Sequence, residues 1–122
     1  MVKVITIGTK EVQVEANAST PIRYRNIFKK DLLTQISEGT SKDGVDMKVA
    51  SEVSPELAFI MAKSAEKADM TKLTEESWLK WLEQFGPMDV INATEQIFNV
   101  FFGDAETAVE SKKKVPEEPN EN

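Results

Sequence analysis

Polar and apolar residues alternate along the first part of the chain. Residues 2–7 and 10–16 are rich in valine, isoleucine and threonine, and the second run alternates clearly in polarity. A period of two is typical of strands that bury one face. Between the runs, Gly8 and Thr9 suit a two-residue hairpin turn, in which glycine at the first central position accepts a positive φ. We therefore predict an antiparallel hairpin, with Ile5 opposite Val12 and Lys3 opposite Val14.

The spacing of apolar residues changes to three and four between residues 20 and 36, as on one face of an α-helix. Thr20 can cap such a helix, and Pro21 suits its first position because the amide hydrogen that proline lacks has no partner there. These signals predict one amphipathic helix over 20–36, around which the other elements pack. Its apolar face consists of Tyr24, Ile27, Phe28, Leu32 and Ile36.

Charged residues are unevenly placed on this predicted helix. Helical angles put Arg23 and Lys30 opposite the apolar face and Arg25 and Lys29 on its rim, whereas Asp31 falls on the apolar side. A carboxylate there needs a partner. One interpretation is a core helix in which an arginine or backbone amides satisfy Asp31, and the other is a recognition surface for another protein. The residues of that candidate surface are Arg23, Tyr24, Arg25, Phe28 and Asp31.

The middle of the chain combines a loop signal with a second helix. Residues 38–44 concentrate glycine, serine and aspartate, which predicts a mobile loop. Alternation over 45–49 leaves two interpretations open, a third short strand or an early start of the next helix. A capping serine, a proline and a first-turn acid at 54–56 predict a helix start, and that helix runs to about Ala68.

Two further helices are predicted in the last third. Thr74 is followed by two acids, as in a capped first turn, and the helix ends at the Gly-Pro pair 86–87. A fourth helix is expected from Asp89, as its capping residue, to Phe102, with Gly103 as its terminator.

Aromatic residues cluster on both of these helices. Each cluster has two interpretations, core packing or a groove that receives an apolar helix of another chain. The end of the fourth helix is very apolar next to a polar segment, so that either the core or a partner covers it. The candidate partner-binding residues are Trp78, Trp81 and Phe85 on the third helix and Phe98, Phe101 and Phe102 on the fourth.

The chain is long enough, at 122 residues, for one compact domain. We predict an α+β fold over residues 1–103, with an amino-terminal β-hairpin packed on about four helices. Residues 104–122 contain many acids, two prolines and no apolar period, and are predicted to be a disordered acidic tail.

The composition argues against several function classes. The chain has neither histidine nor cysteine, so the commonest general base, thiolate nucleophiles and the commonest transition-metal ligand are missing. A formal charge of -6 argues against nucleic acid as the main partner. No signal peptide or apolar membrane span is evident. We therefore expect a cytoplasmic protein that is not an enzyme, with no catalytic residues, no cofactor, no metal and no membrane or nucleic-acid partner.

The segment IRYRNIFKKDLL, after a strand pair and a Thr-Pro dipeptide, resembles the tail assembly chaperones of phages with long non-contractile tails. In that family, a similar Tyr-Arg segment precedes a Phe-Gly-Arg-Asp or Phe-Gly-Lys-Asp run. Phe28, Lys30 and Asp31 match this run, whereas Lys29 replaces the usual glycine. Element order, the Met-Ala-Lys stretch at 61–63 and chain length add to the resemblance, which covers residues 1–103.

The resemblance implies a non-enzymatic assembly factor of a phage or prophage. It would coat the helical tape-measure protein and help to recruit subunits of the major tail protein in the host cytoplasm, and it would be absent from the mature virion. A programmed frameshift at the lysine codons 112–114 would produce a longer form. Homo-oligomers are compatible with this function. The alternatives are a small acidic protein-binding regulator, such as an inhibitor or antitoxin, and a structural component of the virion.

Overall fold

The computed structural model describes residues 1–41 and 43–103. Within them, the fold is α+β, as predicted, with an amino-terminal hairpin and about six helices instead of four. The number rises because two of the predicted helices are each divided in two. The segment 104–122, predicted to be a disordered tail, lies outside the described residues, as does position 42.

Strands β1 (Lys3–Ile7) and β2 (Lys10–Val14) form the predicted antiparallel hairpin. Ile5 lies opposite Val12 and Lys3 opposite Val14, so the predicted register is confirmed. Gly8 has a φ of 64°, which glycine adopts without a steric cost. The inner face of the hairpin contributes Ile5, Ile7 and Val14 to the core.

The prediction of one helix over 20–36 is wrong. Helix α1 (Thr20–Phe28) ends at Lys29, which adopts a left-handed conformation with a φ of 61°, and helix α2 (Leu32–Glu38) begins after Asp31. The Asp31 side chain accepts a 2.9 Å hydrogen bond from the backbone N–H of Thr34 and caps α2. Apolar spacing survives such a break, because both helices turn one face to the same core.

The loop predicted at 38–44 contains a very short second hairpin, β3 (Thr40–Ser41) and β4 (Gly44–Val45). Helical structure then begins at Met47, earlier than the predicted start at 54–56. The early-start interpretation of residues 45–49 is therefore confirmed, next to a short strand that ends at Val45.

Pro55 lies inside this long helix, and a wider helical turn precedes it. A π-helical segment, Val49–Val53, continues into helix α3 (Ser54–Ala65), and the Ser54 N–H donates to the carbonyl of Val49, five residues earlier. Proline has no N–H for the usual helical bond and crowds the carbonyl four residues before it. The wider turn accommodates that defect, as π-bulges often do. Pro55 therefore does not mark the start of the helix.

Helix α3 is the centre of the fold, a place that the sequence pattern had assigned to residues 20–36. All nine residues from 54 to 62 are buried. A helix that is buried on every side must be covered by several neighbours, and α3 contacts β2, α1, α4 and α5. The backbone carbonyl of Met61 also accepts a 2.9 Å hydrogen bond from the N–H of Glu15, which joins the hairpin to α3.

The carboxyl-terminal helices begin with one confirmed cap. Thr74 and Ser77 form a reciprocal capping box for helix α4 (Glu75–Leu82), after a 3-10 turn at Met70–Lys72. The helix ends at Leu82, one turn before the predicted stop at 86–87.

The predicted fourth helix is divided by a turn at Ala93 into α5 (Asp89–Asn92) and α6, over 94–103. Asp89 is not the capping residue, because its carboxylate accepts a 2.8 Å bond from the Gly86 N–H while Met88 occupies the cap position. Gly103 is still helical. None of the described helices is both long and apolar enough to cross a lipid bilayer.

Candidate functional site

Two predicted contact residues of α1 belong to the core. Tyr24 and Phe28 are buried, and their rings pack together at 5.2 Å between centroids. Their face of α1 packs against α3, and Trp78 also contacts Phe28. The assignment of Tyr24 and Phe28 to a partner-binding surface is therefore corrected, because neither ring can reach a partner in this conformation.

A buried polar network underlies this face of α1. The Tyr24 hydroxyl donates a short hydrogen bond to Glu56, and the Lys30 ammonium lies 3.0 Å from the other oxygen of the same carboxylate. Glu52, which is more exposed, lies 4.0 Å from Lys30. Burial, followed by the hydrogen bond to Glu56, raises the pKa of the Tyr24 phenol well above its usual range. The network joins the α1–α2 connection to α3.

Glu56 was not among the residues predicted to have a special function. A first-turn acid after Ser-Pro is ordinarily a surface residue near a helix amino terminus. The sequence feature that indicates its burial is the apolar run 57–62 that follows. This run places apolar residues on every side of a helix, which is typical of a helix that is buried on all sides. A carboxylate at the edge of such a run needs the partners that Tyr24 and Lys30 supply.

The aromatic residues of α4 face inward. The Trp78 ring meets Phe28 edge-on at 5.2 Å, and its indole N–H donates to the Pro55 carbonyl at 3.1 Å. Trp81 packs on the buried Phe59, and Phe85 packs on Trp81. Trp78 and Trp81 on α4, and Phe85 just after its end, are partly buried at the margin of the core. This arrangement favours the core-packing interpretation for α4.

The phenylalanines of α6 differ from one another. Phe98 is buried in the core, and it also contributes to the lining of another open pocket, of about 390 Å³, with Val45 and Ala50. Phe101 and Phe102 are only partly buried and stack edge-on at 4.9 Å. These two side chains line an open groove that no other part of residues 1–41 and 43–103 covers.

We call this site the carboxyl-terminal groove. It has a volume of about 340 Å³ and lies between the connection from β2 to α1, the start of α2 and the end of α6. Leu33, on α2, is 53% exposed although it is a large apolar residue. The lining residues are Ala16, Asn17, Ala18, Pro21, Leu33, Phe101 and Phe102.

Pro21 and Leu33 were not predicted as contacts. The helix break at Lys29 is responsible for the place of Leu33, because α2 starts in a new direction after Asp31. In a single helix over 20–36, Leu33 would be an isolated exposed leucine, which is common and uninformative on its own.

The predicted charged contacts lie in different places. Arg23 donates to the Ser19 hydroxyl at 2.9 Å and lines a separate, smaller cavity with Met70 and Leu73. Arg25 is exposed one helical turn after Pro21. Asp31 is also exposed, and its bonds to Thr34 lower the pKa of its carboxyl, with a smaller contribution from Arg25. Backbone and hydroxyl groups therefore satisfy Asp31, as the core-helix interpretation expected.

No family model, curated protein or solved structure matches this chain. Among residues 1–41 and 43–103, acidic side chains do not gather in a group of three or more that could hold a metal ion. Function is therefore inferred from the apolar surface that residues 1–41 and 43–103 leave open.

Proposed function

We propose that this chain is a non-enzymatic assembly chaperone that covers an apolar helix of a larger protein. The observation that supports this proposal most directly is the carboxyl-terminal groove. Leu33, Phe101 and Phe102 line an apolar trench on a folded monomer whose other aromatic residues are turned toward the core. An uncovered apolar trench of this kind is typical of sites that receive the apolar face of a helix.

The client, by the resemblance to phage tail assembly chaperones, is a tape-measure protein. A long helical protein exposes apolar faces before it is packed, and these faces aggregate unless another chain covers them. Several copies of an acidic chain along one client would also repel one another and keep the complex in solution.

The conformation of Lys29 supports the same proposal. The family pattern has glycine at the position after the phenylalanine, and this chain has Lys29 there, next to Phe28. Lys29 has a φ of 61°, in the region that glycine adopts at the least cost. A left-handed helix break at this position favours glycine, which is the residue in the family pattern.

The finer parts of the proposal concern the longer form and the location of the protein. A frameshifted form would recruit tail-tube subunits, and both forms would stay in the host cytoplasm and be absent from the virion. The lysine codons at 112–114 encode residues outside the described part of the chain. Sequencing of that gene region for a slippery adenine run with an overlapping frame tests the longer form, and mass spectrometry of purified virions tests the location.

Co-expression tests the chaperone itself. The full chain is produced with the tape-measure protein from the same genome, and the soluble fraction of that client is measured. We expect the client to be soluble only when the chain is present. Leu33→Glu places a charge in the groove and should abolish this effect.

Leu79→Glu is the matched control, since Leu79 is a helix leucine that is 48% exposed and does not line the groove. It should leave the client soluble. Equal loss with both variants would contradict the groove as the binding site. An insoluble client together with stoichiometric binding of one globular protein would replace the proposal with the regulator alternative.

A further inference from the structure

A second open cavity lies beside α1, away from the carboxyl-terminal groove. It has a volume of about 210 Å³ and lies between α1 and the 3-10 turn Met70–Lys72. Pro21 lines the groove and Arg23 lines this cavity, and positions two apart on a helix point about 200° apart. We call it the Arg23 cavity. The lining residues are Arg23, Asn26, Ile27, Met70, Thr71 and Leu73.

The Arg23 side chain is held in place by the segment before α1. Its Nε donates to the Ser19 hydroxyl at 2.9 Å, and that hydroxyl donates to the Asn17 side chain at 2.6 Å. Among residues 1–41 and 43–103, Ser19 is the one hydrogen-bond partner of the Arg23 side chain, and no carboxylate forms a salt bridge with it. The terminal nitrogens of this guanidinium are therefore oriented but have no acceptor in that part of the chain.

Asn26 adds a second donor group to the same wall of the cavity. It lies three residues after Arg23, so the two side chains are neighbours on one face of α1. The backbone carbonyl of Asn26 accepts a bond from Lys29, whereas its side-chain amide has no hydrogen-bond partner within the described part of the chain. Arg23 and Asn26 can therefore donate together to one acceptor group in the cavity.

The rest of the lining is mostly apolar. Ile27, Met70 and Leu73 are partly buried, and all three pack against the core. The Thr71 hydroxyl donates to Asp69 at 2.6 Å, so it is already used. Asp69 also accepts from the Thr71 N–H at 3.1 Å and does not line the cavity. The cavity therefore combines an apolar surface with donors on one side.

The charge and size of the cavity indicate what it can bind. Arg23 is the single charged residue among the described residues that line it, which suits one negative charge. The planar guanidinium matches a carboxylate, whereas a phosphorylated side chain carries a charge of about −1.5 to −2 and is usually bound by several arginines. Sites for small molecules have volumes of roughly 300–1,000 Å³. The smaller Arg23 cavity is therefore suited to a single side chain of a protein.

We propose that the Arg23 cavity binds a segment of another protein in which an apolar side chain lies next to an acidic one. The apolar side chain would contact Ile27, Met70 and Leu73, and the neighbouring carboxylate would accept hydrogen bonds from Arg23 and Asn26. This site is separate from the groove, and the inference does not depend on the proposed function.

The two arginines of the chain allow the cavity to be observed directly. A nitrogen–proton NMR spectrum of the arginine Nε groups has one signal each from Arg23 and Arg25, and the exposed Arg25 is the internal control. Three peptides of about ten residues, amidated at the carboxyl end, contain Phe-Glu, Phe-Gln or Ser-Glu in a Gly-Ser background and are titrated into the full chain. We expect the Phe-Glu peptide to shift the Arg23 signal and to bind about fivefold more tightly than the other two.

Variants assign this preference to the cavity. Arg23→Gln should remove the preference for Phe-Glu over Phe-Gln. Arg25→Gln makes the same change of net charge on the same helix and should preserve the preference, as should Leu33→Glu in the groove. Equal affinities of the Phe-Glu and Phe-Gln peptides, equal affinities of the Phe-Glu and Ser-Glu peptides, or equal shifts of the two arginine signals would overturn the inference.

Other occupants of the cavity would also overturn it. An Arg23 signal that moves in the full-length variant Glu117→Gln with Glu118→Gln would assign the cavity to the chain's own carboxyl-terminal segment. An Arg23 signal that moves with protein concentration would assign it to a second copy of the chain. Client solubility that depends on Leu33, with no preference among the three peptides, would refute this inference and leave the proposed function intact.

Discussion

Cationic side chains lie on both sides of helix α1 and of the turn that follows it, but the surroundings of the two sides differ. On the inner side, Tyr24 and Lys30 converge on the buried Glu56, so that each polar group has a partner. On the outer side, Arg25 and Lys29 are exposed, and neither forms a salt bridge with a carboxylate among residues 1–41 and 43–103. Lys30 thus has a buried carboxylate partner, whereas the adjacent Lys29 is exposed and donates to the backbone carbonyl of Asn26.

This difference shows why charge alone does not identify a binding residue. Lys29 and Lys30 are neighbours with the same side chain, and the left-handed turn at Lys29 directs them to different surroundings. Mutations of the inner network should therefore change the stability more than mutations on the exposed outer side.

The largest expected effect is on the inner side. Glu56→Ala removes the common partner of Tyr24 and Lys30 and should lower the free energy of unfolding by about 3 kcal/mol, because the phenol is left buried and unpaired. Urea unfolding measures this value. Glu52→Ala is the control, since Glu52 is more exposed and 4.0 Å from Lys30, and its effect should stay within about 0.5 kcal/mol. Equal effects would mean that the network does not stabilise the fold.

A smaller effect is expected for Tyr24. Folding raises the pKa of this phenol above its unfolded value of about 10, so its contribution to stability is complete below that pH and is lost as the pH rises above it. Tyr24 is the single tyrosine of the chain. Tyrosinate absorbance should therefore appear only as the protein unfolds in alkali, and titration near pH 10 in a folded protein would contradict the burial.

Tyr24→Phe is the companion variant for this titration. It should cost about 1 kcal/mol at neutral pH through the lost hydrogen bond. It should also reduce the decline of stability in alkali, because the phenol that ionises on unfolding is absent. Urea unfolding at neutral and alkaline pH measures both effects.

The smallest effect is expected on the outer side. Lys29→Gly relieves the left-handed conformation and should raise the free energy of unfolding by up to about 1 kcal/mol. Lys48→Gly is the control, because Lys48 has a helical φ of -63° and glycine should destabilise it by about 1 kcal/mol. A stability loss in both variants would show that the break at Lys29 is not strained.

The sequence allowed the prediction of local features with strong chemical signals. The hairpin register follows from the alternation and from Gly8, and the start of α4 follows from Thr74 and the acids after it. The α+β class follows from the change of period after the hairpin. Each of these features depends on residues that are close in the chain.

Helix breaks and burial were harder to predict. The apolar period continues through Lys29 although the helix does not, and the signals of a helix start at 54–56 lie within a longer helix because a π-turn accommodates Pro55. The groove could not be predicted, since Pro21, Leu33 and Phe102 meet only after three separate elements pack together.

The sequence by itself determined the class of the fold, the hairpin and its register, and the presence of cations and aromatic residues on particular helices. Tertiary structure decided which of these side chains are buried or paired in the core. It buried Tyr24, Phe28 and Phe98, paired Lys30 with Glu56, and left Leu33, Phe101 and Phe102 around an open groove. The physical reason is that turns and periods depend on neighbouring residues, whereas burial depends on which surfaces, distant in the chain, cover one another.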